Sequence, residues 1–97
     1  MIDAQTKKKV KKIIFRFLDP RKYKVFIFGS RALGDDLKFS DIDIGIKSKR
    51  KINSTLLGNI KEAFEESNIV YKVEVVDFSS VSDQFRKVAE QKVIYLN

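Results

Sequence analysis

Two apolar stretches flank a Gly-Ser pair, ten intervening residues and Asp-x-Asp, and this feature constrains the fold more than any other. Residues 25–28 (Val-Phe-Ile-Phe) lead into Gly29 and Ser30. Asp41 and Asp43 then open a second run, in which isoleucine alternates with them. Because side chains alternate across a strand, both aspartates are predicted to lie on one face and the isoleucines on the other. Two carboxylates so close repel each other, whereas a hard cation such as Mg²⁺ binds oxygen ligands, so the pattern predicts a metal site.

Apolar residues at helical spacing predict two helices around this motif. The first covers residues 3–18, with Asp3 as its N-cap. The second covers residues 53–67 and begins at either Asn53 or Ser54, both of which are good capping residues. The lysines of the first helix lie mostly off its apolar stripe, which is typical of a surface helix.

A third helix is predicted near the end of the sequence. It starts at Ser79 or Ser80 as N-cap and continues to about residue 92. Five residues of this helix are predicted to face the core: Val81, Phe85, Val88, Ala89 and Val93.

Runs rich in β-branched and aromatic residues predict three strands, over residues 23–28, 41–47 and 69–76. Residues 31–33 are predicted to form a short helical turn, and residues 35–40 a polar loop. The order is α-β-turn-β-α-β-α, which predicts an α/β (α+β) fold with a sheet covered by helices. A length of 97 residues predicts one domain, 1–97.

Composition excludes several kinds of chemistry. Cysteine and histidine are both absent, which removes disulfides, thiolate metal sites, zinc–histidine sites and Ser-His triads. No apolar stretch reaches the roughly 20 residues of a membrane span, and no signal peptide is recognisable, so we expect a cytoplasmic location without membrane contact. The net charge of +7 comes partly from residues 7–12, a solvated surface, and 47–51, which we expect near a phosphate-bearing ligand.

A third carboxylate is predicted on the strand over residues 69–76. Glu74 lies between Val73 and Val75, so if the valines face the helices, Glu74 faces the side of Asp41 and Asp43. Three carboxylates on one face can hold two metal ions about 3.5–4 Å apart, as phosphoryl-transfer enzymes do. Asp77 is the alternative third carboxylate at the strand end.

The Gly-Ser pair is predicted to bind phosphate. Gly29 lets a phosphate approach the backbone without a Cβ in the way. The amides of Ser30 and Arg31 begin a helical turn and form an anion-binding nest, to which the Ser30 hydroxyl can add a hydrogen bond. The Arg31 side chain can bind phosphate as well, or pair with Asp35 or Asp36.

This combination resembles the nucleotidyltransferase superfamily that includes DNA polymerase beta, and in particular its short members, the minimal nucleotidyltransferases. Gly29, Ser30, Asp41 and Asp43 match the Gly-Ser-x10-Asp-x-Asp pattern without a gap. The flanking residues that also resemble the short members are Arg31, Ala32, Gly34 and Ser40.

The resemblance implies Mg²⁺-dependent transfer of a nucleoside monophosphate, AMP from ATP, to a hydroxyl, with release of pyrophosphate. It implies that Gly29 and Ser30 hold the triphosphate, that Asp41 and Asp43 bind Mg²⁺, and that Glu74 is the third metal carboxylate. Two Mg²⁺ ions are expected for the three carboxylates together. Small relatives often have Asp where this chain has Glu74.

The resemblance also implies a partner. Minimal members are similar to the antitoxin of a toxin–antitoxin pair, whose toxin is a helical HEPN protein. They neutralise it by forming a complex, by adenylylating its tyrosines, or by both. We expect a homo- or hetero-oligomer, because a domain of this size has little room for acceptor recognition. A non-catalytic binding module is the alternative, and a nucleic-acid-modifying enzyme is a weaker one, since no nucleic-acid-binding motif accompanies the charge.

Overall fold

The computed structural model describes residues 2–33 and 41–97, and the predicted loop over 35–40, with Asp35 and Asp36, lies outside them. The described residues form α-helices and β-strands in an alternating order, with a mixed sheet. The predicted fold class, α/β (α+β) with a small mixed sheet, is therefore confirmed. In chain order the elements are α1 (Ala4–Phe17), β1 (Lys24–Phe28), α2 (Ser30–Leu33), β2 (Ile42–Lys47), α3 (Ser54–Glu65), β3 (Val73–Asp77), α4 (Asp83–Ala89) and β4 (Ile94–Tyr95).

The described strands lie in the order β3-β2-β1-β4. The central strand β1 is antiparallel to both of its neighbours, β2 and β4, whereas β2 and β3 are parallel. A parallel pair needs a long crossover, and α3 provides it between β2 and β3. The two apolar runs that flank the Gly-Ser turn are thus adjacent strands.

One face of the sheet carries the main core, beneath α1 and α3. Ile42, Ile44 and Ile46 of β2 are fully buried there, which confirms the predicted alternation. Burying each isoleucine side chain contributes about 1.5–3 kcal/mol. Helices α1 and α3 both begin with a side-chain cap. The Asp3 carboxylate accepts a hydrogen bond from the Thr6 amide at 2.8 Å. The Asn53 side-chain oxygen accepts one from the Thr55 amide at 2.8 Å.

The opposite face of the sheet carries a smaller aromatic cluster. Phe26, Phe28 and Phe78 are buried there and contact one another through tilted and edge-on rings. Gly45 of β2 lies under two of these rings, and an added Cβ would meet Phe26 Cε2 at 2.5 Å and Phe78 Cε1 at 2.7 Å. A glycine at this position therefore allows the aromatic rings to lie directly over the sheet.

The predicted last helix is wrong in its start and its end, and its core-facing set is confirmed in part. Val81, Ala89 and Val93 pack against the aromatic cluster, whereas Phe85 and Val88 are exposed. Helix α4 is capped by Ser82, whose hydroxyl accepts from the Phe85 amide at 3.1 Å, and it ends at Ala89. Ser79 instead donates its amide and hydroxyl to Asp77, which holds the chain in a turn after β3. None of the seven residues of α4 is buried, and Val88 is 64% exposed.

Two strand predictions also need correction. Strand β3 begins at Val73 instead of residue 69, because Ser67 closes α3 with a turn in which its hydroxyl accepts from the Ile69 amide. Strand β4 was not predicted. It has only two residues, Ile94 and Tyr95, and is defined by its pairing with β1, which no local pattern shows.

Candidate functional site

The predicted metal-binding carboxylates lie along one row of the sheet. In the strand register Asp43 of β2 pairs with Glu74 of β3 on one side and with Phe28 of β1 on the other. Neighbouring strands are about 4.8 Å apart, so Asp43 and Glu74 are side by side on the same face. Asp41 immediately precedes β2 and is exposed. The structure thus places Asp43 beside Glu74, with Asp41 two residues before Asp43 at the start of the same strand.

The charge of Asp43 is unfavourable in the absence of a cation. This half-buried carboxyl has a raised pKa, first because burial disfavours the charged form, and then because the carboxylates of Glu74 and Asp41 repel it. A divalent cation would remove this repulsion, and the three side chains offer only the oxygen ligands that Mg²⁺ prefers. The donor set therefore fits the metal that the family resemblance implies.

Lys72 is a residue of this face that the sequence reasoning missed. Its ammonium group lies 3.2 Å from the Glu74 carboxylate, and this contact, with the nearby charges of Glu74 and Asp41, raises the pKa of Lys72. The strand parity gave a signal, because Lys72 precedes Glu74 by two residues. In the part of the chain that the structure describes, no three acids already converge as a metal site. Metal binding by Glu74 together with the aspartates stays a prediction.

Gly29 is required by the position of Asp43. Its φ angle of 74° lies in the left-handed region, which favours glycine. A Cβ at this position would also lie 2.5 Å from Asp43 Oδ2. The turn after β1 therefore packs against the carboxylate, and its backbone then enters α2 at Ser30, where the Ala32 amide donates to the Gly29 carbonyl. The Ser30 hydroxyl, predicted to bind phosphate, lies outside the described atoms.

Arg31 is packed into the protein. Its side chain is 4% exposed, and its guanidinium carbon lies 4.2 Å from the centre of the Tyr71 ring. This cation–π contact links α2 to the segment that leads into β3, which carries Glu74. Phosphate binding by the Arg31 side chain stays a prediction, and the alternative pairing with Asp35 or Asp36 involves residues outside the described ranges.

Asp77, the alternative third carboxylate, has a structural role. It pairs in register with Ile46 and is buried, so it does not share the face of Asp43. Its Oδ2 accepts from the Ile52 amide at 2.9 Å, and its Oδ1 accepts from the amide and hydroxyl of Ser79 at 2.9 and 2.7 Å. These bonds hold the loop before α3 to the end of β3, and Glu74 remains the better candidate.

The basic run over residues 47–51 begins at the far end of β2 from Asp43, and its expected proximity to a phosphate-bearing ligand stays a prediction. It follows β2, whereas Asp43 lies at the start of that strand. Asp43 and Lys47 are four strand residues apart, which is about 13 Å. The run instead borders a surface cavity that also contains Arg21 and Lys22.

The chain is similar to known proteins in sequence and in fold. The family described as Polymerase beta, Nucleotidyltransferase matches residues 8–97. A Haemophilus influenzae protein named "Probable protein adenylyltransferase MntA" is 32% identical over 74 residues, which are 76% of this chain. That alignment spans 65% of the relative, which is less than two thirds of its length.

Solved structures share the fold. A toxin–antitoxin complex with AMP-PNP superposes with a TM-score of 0.74 at 22% identity, over 94% of this chain and 72% of the matched chain. A complex of a tri-AMPylated Shewanella oneidensis HEPN toxin with its MNT antitoxin gives a TM-score of 0.64 at 18% identity, over 94% of this chain and 71% of the matched chain. Within residues 2–33 and 41–97, no helix has the length and apolar character needed to cross a bilayer.

Proposed function

The chain belongs to the polymerase beta nucleotidyltransferase family, and we propose that it transfers AMP from ATP to a hydroxyl group on a partner protein. The observation that carries this proposal is the registered pair of Asp43 and Glu74, with Asp41 beside it and Gly29 packed against Asp43. Folding alone gives no reason to place Asp41 and Asp43 on the face of Glu74, whereas a bound divalent cation does, because it takes oxygen ligands.

Asp41, Asp43 and Glu74 would hold Mg²⁺, and two ions are proposed because three carboxylates face the same side. When bound, the metal neutralises triphosphate charge and lowers the pKa of the attacking hydroxyl. The backbone amides after Gly29 would hold the phosphates that leave, because a helical turn begins there and no Cβ intervenes.

The proposed step is an in-line displacement. The acceptor oxygen forms a bond to the α-phosphorus of ATP, and the bond from that phosphorus to the bridging oxygen of the β-phosphate breaks. Pyrophosphate leaves, and AMP stays on the acceptor oxygen. The proton of the acceptor hydroxyl passes to a carboxylate, for which Glu74 is suited because its side chain is 48% exposed and can meet a partner's hydroxyl.

The proposed partner is a helical HEPN-type toxin, and the chain would then act as its antitoxin. Two observations support this choice: the relative named as a protein adenylyltransferase, and the matched complex in which a HEPN toxin is tri-AMPylated. We also propose a cytoplasmic location, because the reaction consumes ATP.

Position-specific labelling of ATP tests the reaction directly. The protein is incubated with Mg²⁺, a HEPN protein encoded next to it and ATP labelled either at the α- or at the γ-phosphate. The proposal predicts that the α-label alone becomes attached to the partner, because pyrophosphate carries the γ-label away. Attachment of the γ-label would indicate a kinase and would contradict the proposal.

A second candidate is a nucleotide-binding module that neutralises the partner by forming a complex without transfer. The contact between Lys72 and Glu74 favours it, because a lysine then occupies the carboxylate that catalysis needs. Co-expression of the toxin with the double variant Asp41→Asn, Asp43→Asn separates the two. Full protection of growth by this variant would favour complex formation, and loss of protection would favour transfer.

A further inference from the structure

An apolar cavity of about 200 Å³ lies next to the proposed triphosphate site. It is lined by Phe28 and Gly29 at the end of β1 and by Phe85, Val88 and Ala89 of α4. Gly29 thus belongs both to the proposed phosphate-binding turn and to the wall of this cavity. The function proposed above leaves this cavity unused.

The lining of the cavity does not resemble an ordinary solvent-facing surface. Phe85 is 42% exposed and Val88 64% exposed, although a core-facing role would be expected for both. The Phe85 ring meets Phe28 edge-on, with centroids 6.1 Å apart, and also contacts Phe78 at 5.8 Å. An aromatic wall is therefore held in a fixed orientation by rings beneath it, while part of its surface stays open.

The position of the cavity relative to the carboxylates restricts what can occupy it. Phe28 pairs in register with Asp43, so the aromatic wall is one strand away from the proposed metal ligand, a separation of about 5 Å. If the phosphates of a nucleotide lie along Gly29 and Asp43, its base lies one sugar away from the α-phosphate and needs a binding surface of its own. The volume is below the roughly 300–1,000 Å³ of pockets for larger ligands, and it suits a single flat ring system.

We propose that this cavity binds the nucleobase of the substrate, through stacking and apolar contact with Phe28, Phe85 and Val88. The inference rests on the proposed nucleotidyl transfer and adds the base-binding part of that site. Aromatic rings stack on every base, because each has a π-face, and this contact is worth about 1–3 kcal/mol per base.

The chemistry of the lining has a consequence for specificity. The side chains that form the cavity are all apolar and offer the base no hydrogen bond. An apolar pocket discriminates weakly between ligands of similar shape. We therefore expect ATP and GTP to bind within about fivefold of each other.

The test compares ATP with inorganic tripolyphosphate, which has the phosphates and lacks the base. Affinities are measured by calorimetry in the presence of Mg²⁺. Phe85→Leu keeps an apolar side chain and removes the ring, so we expect it to weaken ATP binding about fivefold or more and to leave tripolyphosphate binding unchanged. Val88→Gln is a second variant at an exposed position, and the same selective loss is expected.

Tyr95→Leu is the matched control, because it also replaces a half-exposed ring on this sheet but does not line the cavity. Its ATP affinity should equal that of the wild type. Equal weakening of ATP and tripolyphosphate by Phe85→Leu, or no weakening of either, would overturn the base-binding site. Failure of the wild type to bind both ligands would instead overturn the proposed function on which it rests.

Discussion

Substitution of Gly29 by alanine should damage both the fold and the proposed reaction. A non-glycine residue at a φ of 74° costs about 1–2 kcal/mol. The new Cβ would also lie 2.5 Å from Asp43 Oδ2, where ordinary contact begins at 3.4 Å, so the carboxylate must move by about 1 Å. Together these effects predict a loss of about 1–3 kcal/mol in the free energy of unfolding. A displacement of that size at a reacting centre can slow transfer about 100-fold.

Urea unfolding and the rate of label transfer to the partner measure the two effects. Gly58→Ala is the matched control, because Gly58 lies within α3 and an added Cβ meets nothing within 4 Å. This control should stabilise the protein by about 0.5–1 kcal/mol and leave the rate unchanged. The reasoning would be refuted if Gly29→Ala kept the wild-type rate, or if both alanine variants changed stability in the same direction.

Three further predictions follow from contacts of the same sheet. Asp43→Asn should raise the free energy of unfolding at pH 7 in metal-free buffer, because it removes a charge that the fold disfavours. This gain should fade as the pH falls through the raised pKa of Asp43 to below 3.8, where the wild-type carboxyl is also neutral. Urea unfolding at several pH values measures the gain, and a gain that grows towards low pH contradicts the prediction. Asp77→Ala should lower the free energy of unfolding by about 3 kcal/mol, because it leaves buried amides without an acceptor. Glu74→Gln should change the free energy of unfolding by less than about 0.5 kcal/mol and slow transfer about 100-fold. The roles of the two acids would be reversed if Asp77→Ala folded normally without transfer activity. Gly45→Ala should lower the free energy of unfolding by about 1–3 kcal/mol, because the new Cβ overpacks the aromatic cluster. A wild-type melting temperature would contradict this and show that the rings can move to make room for the Cβ.

Local patterns were sufficient to predict most of the elements that position the site. The alternation of Asp41 and Asp43 with isoleucines gave the face of β2 correctly, because a period of two leaves only one way to bury the isoleucines. The same parity argument predicted Glu74 on the face of Asp43, and the strand register confirms that face. Such inferences succeed because burial on one face fixes the whole strand.

Features that depend on contacts between distant segments were not predictable. Nothing near Ser79 in the sequence shows that its hydroxyl is used by Asp77, and so the start of α4 was misplaced. The burial of Arg31 against Tyr71 and the pairing of the two-residue strand β4 with β1 depend on the tertiary fold in the same way.

One variant in one reaction gives the most direct test of the proposed metal-dependent transfer centre, the row of Asp41, Asp43 and Glu74. The transfer of the α-phosphate label from ATP to the HEPN partner is measured with Mg²⁺ for the wild type and for Asp43→Asn, after urea unfolding has shown that the variant is folded. The wild type should label the partner, and the folded variant should lose labelling at least about 100-fold. Labelling at the wild-type rate by Asp43→Asn would contradict the assignment of this carboxylate and, with it, the proposed site.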